Sequence, residues 1–113
     1  MTMRRGDLVT AVMAGDHGKP RPAVIVQSDA LPESDSSVFA CPLTSALVEG
    51  ARFRVTIDPS TENAVLTKLQ IMADKPTTTR RARIGRQIGR LARGDVVRLN
   101  QALAFTLGFA DLG

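Results

Sequence analysis

The chain has 113 residues, 43% of them hydrophobic and 23% charged, with a formal net charge of +4. That is the size and balance of one domain with a core of its own, and it contains no membrane-spanning run and no signal-peptide pattern, so a soluble cytosolic protein is expected. One cysteine, Cys41, and one histidine, His17, exclude an intrachain disulfide and a zinc-finger set.

Residues 6–13 (G-D-L-V-T-A-V-M) are β-rich and half alternating, which predicts a first strand. Residues 14–20 hold two glycines and a proline and predict a loop carrying His17 and Lys19. The branched run at 22–27 (P-A-V-I-V-Q) predicts a central buried strand, and the polar stretch 28–36 another loop. Residues 37–42 predict a strand ended by Pro42. Phe53, Val55 and Ile57 alternate with Arg54 and Thr56, the cleanest period-2 signal in the chain. Residues 65–73 predict a longer strand, with Thr67, Leu69 and Ile71 on one face and Lys68 and Gln70 on the other.

The span 84–91 (I-G-R-Q-I-G-R-L) admits two readings. Ile84, Ile88 and Leu91 fit a helical stripe, but Gly85 and Gly89 would each cost about 1 kcal/mol there. A strand with close backbone approaches at the glycines is the better reading. Val96, Leu99, Leu103 and Leu107 then form a helical stripe, with Asp95 near its start and Gly108 just past its end. Five or six short strands followed by a helix predict an α+β, mainly β fold: a small curled sheet or barrel with a C-terminal α-helix, in one domain over 1–113.

The charge is unevenly placed. Residues 1–64 carry six basic and eight acidic side chains, whereas residues 65–113 carry nine and three. Between Lys75 and Arg98 stand eight basic residues against Asp95 alone, and seven of the eight are arginine. The planar arginine fork matches phosphate, so the segment reads as an anion-binding face or, more plainly, as a solvated charged face.

The residues restrict the chemistry. Cys41 sits in an apolar strand and reads as a small buried hydrophobe. His17 reads as an exposed loop side chain or a proton-transfer group. No glycine-rich nucleotide loop and no Asp/Glu/His set with metal spacing is present, so neither a metal nor a cofactor is expected. RNA cleavage survives these exclusions, because the ribose 2′-OH is the nucleophile. The protein then supplies only proton transfer and donors for the developing phosphorane charge.

Several phrases in order resemble the MazF/PemK family of toxin endoribonucleases. Arg5-Gly6-Asp7-Leu8-Val9 resembles the family's first strand, and Lys19-Pro20-Arg21-Pro22 with the branched run after it resembles the second. Cys41-Pro42-Leu43-Thr44-Ser45 is similar to its proline–threonine–serine turn, and Phe53-Arg54-Val55 to the strand that follows. Residues 83–91 and the terminal helix ending Leu107-Gly108-Phe109 complete a match over nearly the whole chain. The resemblance favours a strand at 84–91.

The resemblance implies an SH3-like curled β-barrel, usually a homodimer, that cuts single-stranded RNA without metal and leaves a 2′,3′-cyclic phosphate. Its cognate partner is an antitoxin protein, with no membrane involved. It implies Arg21 and Thr44 as the catalytic pair, where local sequence alone would read a surface charge and a turn hydroxyl. His17, Asp74 and Thr78 are further candidates. Lys19, Ser45, Lys75, Arg80, Arg81, Arg83 and Arg86 are the RNA-binding candidates. The run Asp74-Lys75-Pro76-Thr77-Thr78 departs from the family's aspartate–glutamine–x–arginine–threonine, with Lys75 for glutamine and Thr77 for arginine. With no tryptophan or tyrosine and four phenylalanines, base recognition is expected to rest on hydrogen bonds and arginine planes. Two alternatives remain open: a CcdB-like inhibitor of DNA gyrase, and a catalytically inactive nucleic-acid-binding homologue.

Overall fold

The structure, a computed structural model, describes residues 3–15, 17–33 and 36–109. Seven strands precede one helix: β1 (Asp7–Ala11), β2 (Arg21–Ile25), β3 (Ser37–Thr44), β4 (Arg54–Ile57), β5 (Leu69–Met72), β6 (Thr77–Arg80), β7 (Ile84–Arg90) and α1 (Arg93–Leu107). All ladders are antiparallel, in the order β4-β5-β3-β2-β1-β7, with β6 beside the first half of β3. The mainly β class and terminal helix agree with the sequence reading.

A short connection curls the sheet. β6 and β7 flank β3, β2 and β1, so in a flat sheet they would lie about 19 Å apart, four strand spacings of about 4.8 Å. Only a single 3-10 turn, Arg81–Arg83, joins them. Its first residue donates from N to Ser36 O at 2.9 Å, and its last accepts at O from Val12 N at 3.1 Å. The turn thus staples the start of β3 to the end of β1, which a flat sheet would hold far apart. The sheet nevertheless remains open: no ladder joins β7 to β4 or to β6 among the described residues. The expected barrel is therefore a curled sheet without full closure.

Alternation along the strands gives two apolar clusters. Leu8, Val24, Cys41, Leu43, Val55, Ile57 and Ile71 pack with Leu91, Leu99 and Ala102 beneath the helix. Val9, Ala11, Met13, Ala23, Ile25, Val38 and Ala40 form a second cluster, with Met3 and Ile84 against it. The central strands are thus apolar on both faces, which is why the 22–27 run does not alternate.

Four sequence expectations change. Pro42 does not end its strand. β3 continues to Thr44 because it changes partner there: Pro42 pairs with Ala23 of β2, and Leu43 with Ile71 of β5. The 65–73 strand shrinks to β5, and Gln70, placed outside with Lys68, is only 5% exposed because its amide is fully engaged in hydrogen bonds. β6 arises from a threonine run for which the sequence predicted no strand, paired through Phe39↔Thr78 and its neighbours. In α1, Leu99 and Ala102 are buried while Leu107 is 59% exposed, so the stripe turns away from the core before the helix ends. Gly108 closes the helix at φ 87°, with Phe109 N on Ala104 O at 2.7 Å.

Candidate active site

Arg21 opens β2 and Thr44 closes β3. The pair Ala23↔Pro42 lies two residues inside each of them, so the two strand ends meet at one edge of the ladder. Arg21 is exposed and Thr44 half-buried. Thr44 Oγ1 accepts a hydrogen bond from Ala46 N at 3.0 Å, closing a turn in which the hydroxyl keeps its proton to donate. Ser45 is exposed in that turn and Lys19 lies exposed two residues before Arg21, so both RNA-binding candidates flank the strand ends.

The remaining candidates divide between different surfaces. His17, in the left-handed region at φ 52°, lines a groove of about 360 Å³ with Thr78, Arg80 and Arg83. Arg81, between the two groove arginines in sequence, lines a separate recess with Met3 and Glu33. Arg86 stands exposed on β7, its backbone N donating to Thr10 Oγ1 at 3.1 Å. Neither Arg21 nor Thr44 is among the described residues lining the His17 groove.

Asp74 has a different setting. It lies 3.9 Å from Arg54 Nε and 3.7 Å from Lys75 Nζ, with its side chain 28% exposed. Arg54 is the residue that sequence reasoning missed. Strand alternation placed it on the polar face, yet its side chain is only 12% exposed. Its Nη1 donates to Ala46 O at 3.2 Å and to Gln70 Oε1 at 3.1 Å. Nothing in the local sequence distinguishes it from a solvated arginine, because all three partners are distant along the chain or in a turn.

Cys41 is fully buried in β3, as expected. Burial, with Asp74 adding repulsion and Arg5 opposing it, pushes the thiol up to about 12 from its ordinary 9.0. The thiolate is thus absent at neutral pH, and Cys41 should resist iodoacetamide at pH 8 unless urea unfolds the chain. The same shift sets an alkaline slope. Between pH 9 and 12 the unfolded chain has lost this proton and the folded chain keeps it, so stability falls as pH rises. Urea titrations over that range should show a shallower decline for Cys41→Ala, and equal slopes would remove Cys41 as the cause. No group of three or more His, Cys, Asp or Glu side chains that could hold a metal occurs among the described residues. None of their helices is long and apolar enough to cross a membrane.

Comparison with known proteins adds context to this geometry. Residues 4–107 match the family of PemK-like, MazF-like toxins of type II toxin–antitoxin systems. A protein named probable endoribonuclease MazF, from Mycolicibacterium smegmatis, is 38% identical over 109 residues, covering 96% of this chain and 99% of its own length. Among solved structures, Mycobacterium tuberculosis toxin MazF-mt6 superposes with a TM-score of 0.76 at 22% identity, covering 90% of this chain and 96% of that one. A mycobacterial endoribonuclease in complex with its cognate antitoxin superposes with a TM-score of 0.79 at 24% identity, covering 95% and 96%. These two likenesses establish the fold.

Proposed function

Because the chain belongs to the PemK-like, MazF-like toxin family of type II toxin–antitoxin systems, we propose that it is a metal-independent endoribonuclease acting on single-stranded RNA at Arg21 and Thr44. The observation that supports this reading is the register of β2 and β3, which brings the strand ends carrying Arg21 and Thr44 to one edge of the ladder, with the Thr44 hydroxyl bonded by Ala46 N. The 2′-oxygen attacks phosphorus, a 2′-O–P bond forms and the P–O5′ bond breaks. The 2′-OH gives up its proton and the departing O5′ takes one, leaving a 2′,3′-cyclic phosphate and a 5′-OH. Arg21 donates to phosphate oxygens as charge develops, and Thr44 donates to another. Neither residue needs a metal or cofactor for these tasks.

Residues 1–113 act as one toxin domain in the cytoplasm, as a homodimer, with a cognate antitoxin as partner. An acidic segment of the antitoxin that folds on binding suits the basic second half of the chain. The gyrase-binding alternative gains no support from the family or relatives. Incubation of the purified protein with a long single-stranded RNA, in EDTA, tests the proposal. Cut sites bearing 2′,3′-cyclic phosphate are expected, and loss of a cut when its upstream 2′-OH is replaced by hydrogen. Intact RNA from a folded protein would leave the inactive-homologue reading.

The basic segment makes a separable prediction. Arg80 and Arg83 share the His17 groove, so changing both to glutamine should weaken RNA binding about equally for different sequences. The log–log salt slope should fall by about 0.7 for each single-strand phosphate that the protein no longer neutralises. Titration of an uncleavable 2′-deoxy analogue over a salt series measures this. Arg81→Gln in the same series reports whether the separate recess also meets RNA. Unchanged slope and affinity for all three would make these arginines a solvated face.

A further inference from the structure

We propose that Arg54 is a positioning residue for the Thr44 hydroxyl, acting through the backbone of the turn after β3; this rests on the reading of Thr44 as a phosphate donor. The turn has little apolar support of its own: Ser45, Ala46, Leu47 and Val48 are all exposed. Two polar side chains beneath it hold it instead. Arg54 Nη1 grips Ala46 O at 3.2 Å, and it also meets Gln70 Oε1 at 3.1 Å. The Gln70 amide grips Val48 from both sides, accepting from its N and donating to its O, each at 3.0 Å. Gln70 Nε2 also donates to Thr56 Oγ1 at 3.1 Å, which fixes the amide orientation.

Ala46 is the point where this clamp reaches the candidate site. Its carbonyl is held by Arg54, and its N–H holds Thr44 Oγ1 at 3.0 Å. Anchoring the Ala46 carbonyl limits how far this residue can move, so the guanidinium restrains the position from which Ala46 N meets the hydroxyl. That hydrogen bond occupies an oxygen lone pair and leaves the Thr44 proton directed elsewhere. Asp74 completes the set: its Oδ1 and Arg54 Nε are both buried without a hydrogen-bond partner and lie 3.9 Å apart, so their attraction offsets burial of the arginine. Asp74, the first residue of the segment that departs from the family pattern, thereby serves the site through Arg54. An exposed turn held only by such bonds should open at low cost once they are cut.

The test compares Arg54→Met, Arg54→Lys, Gln70→Leu, Thr44→Val and the double variant Arg54→Met/Thr44→Val on a long single-stranded RNA with mapped cuts. Arg54→Met should slow cleavage at saturating RNA by roughly 10- to 100-fold, as expected for a displaced catalytic group, with KM changed by less than about threefold. Arg54→Lys should recover part of the rate. Amide exchange at Ala46 and Val48 should accelerate while that of β1 and β2 stays unchanged. The double variant should be no slower than Thr44→Val alone, since Arg54 acts through that hydroxyl. Should Arg54→Met fail to fold, Arg54→Lys and Gln70→Leu carry the comparison. Full rates in the Arg54 and Gln70 variants beside a slow Thr44→Val overturn the proposal alone, as do losses that multiply in the double variant. A fully active Thr44→Val overturns the reading of Thr44 itself.

Discussion

Replacing Arg21 with alanine should lower the maximal rate of RNA cleavage by about 10²–10³ while the protein stays folded, the usual cost of removing one preorganised donor from a developing negative charge. The expectation follows from position. Arg21 is exposed at the first residue of β2, and the ladder there is made by backbone pairing with β1. Backbone pairing does not depend on the side chain, and the role proposed for Arg21 is contact with phosphate. Arg21→Lys keeps a point charge without the planar fork, so it should recover only part of the loss. Initial rates at saturating RNA, together with thermal unfolding of each variant, separate chemistry from folding. A folded Arg21→Ala protein that cuts RNA at a near-normal rate would sink the assignment of this residue.

Gly89→Ala should produce the largest loss of stability from a single methyl group. A Cβ at Gly89 would lie 2.5 Å from Asn63 O and 2.6 Å from Glu62 O, and both obstacles are backbone. The loop that presents them has little freedom to withdraw. Asn63 is buried and ties it together, its side chain bonding Ser60 N, Asp58 O and Val65 N at 2.9–3.0 Å. Arg90 N donates to Glu62 O at 2.9 Å, so moving the loop also breaks a hydrogen bond to β7. Overpacking of this kind costs about 3 kcal/mol, the upper part of its usual range. For a domain near this size, that lowers the melting temperature by roughly 10 °C or more. Calorimetry of the purified variant measures it, and a melting temperature within 2–3 °C of the parent, roughly the span of a surface change, would mean that the loop yields. Ala64 offers the opposite change. It holds φ 57°, so Ala64→Gly relieves strain and should be neutral or stabilising.

Much of this architecture is legible in local sequence because local physics dictates it. The period-2 run at Phe53–Ile57 and the branched run in β2 become strands, since side-chain alternation and bulk act over neighbouring residues. Gly85 and Gly89 rightly argued for a strand with close approaches. Cβ atoms there would meet Thr10 Oγ1 and the Asn63 carbonyl, and the β1–β7 ladder shifts register twice beside them. Asp95 and Gly108 mark the ends of α1 because dipole and left-handed φ are properties of the helix itself. Thr44 and Arg21 were visible only through the resemblance of whole phrases.

The tertiary structure decided what depends on partners remote in sequence. β6 is a threonine run that becomes a strand because β3 offers it an edge, and Pro42 survives inside β3 because the strand changes partner there. Gln70 is buried and Arg54 half-buried because each satisfies polar groups from the turn after β3 and from other strands. The grouping of basic residues is likewise a product of the curl. Arg80 and Arg83 share a groove with His17 while Arg81 faces another recess, because one 3-10 turn fastens two distant strand ends together. Local sequence determined most of the strands, the helix and where charge accumulates, but not β6 or the ends of β3 and β5. Long-range pairing decided which polar side chains meet, since the energy of a buried hydrogen bond depends on a partner that local pattern does not specify.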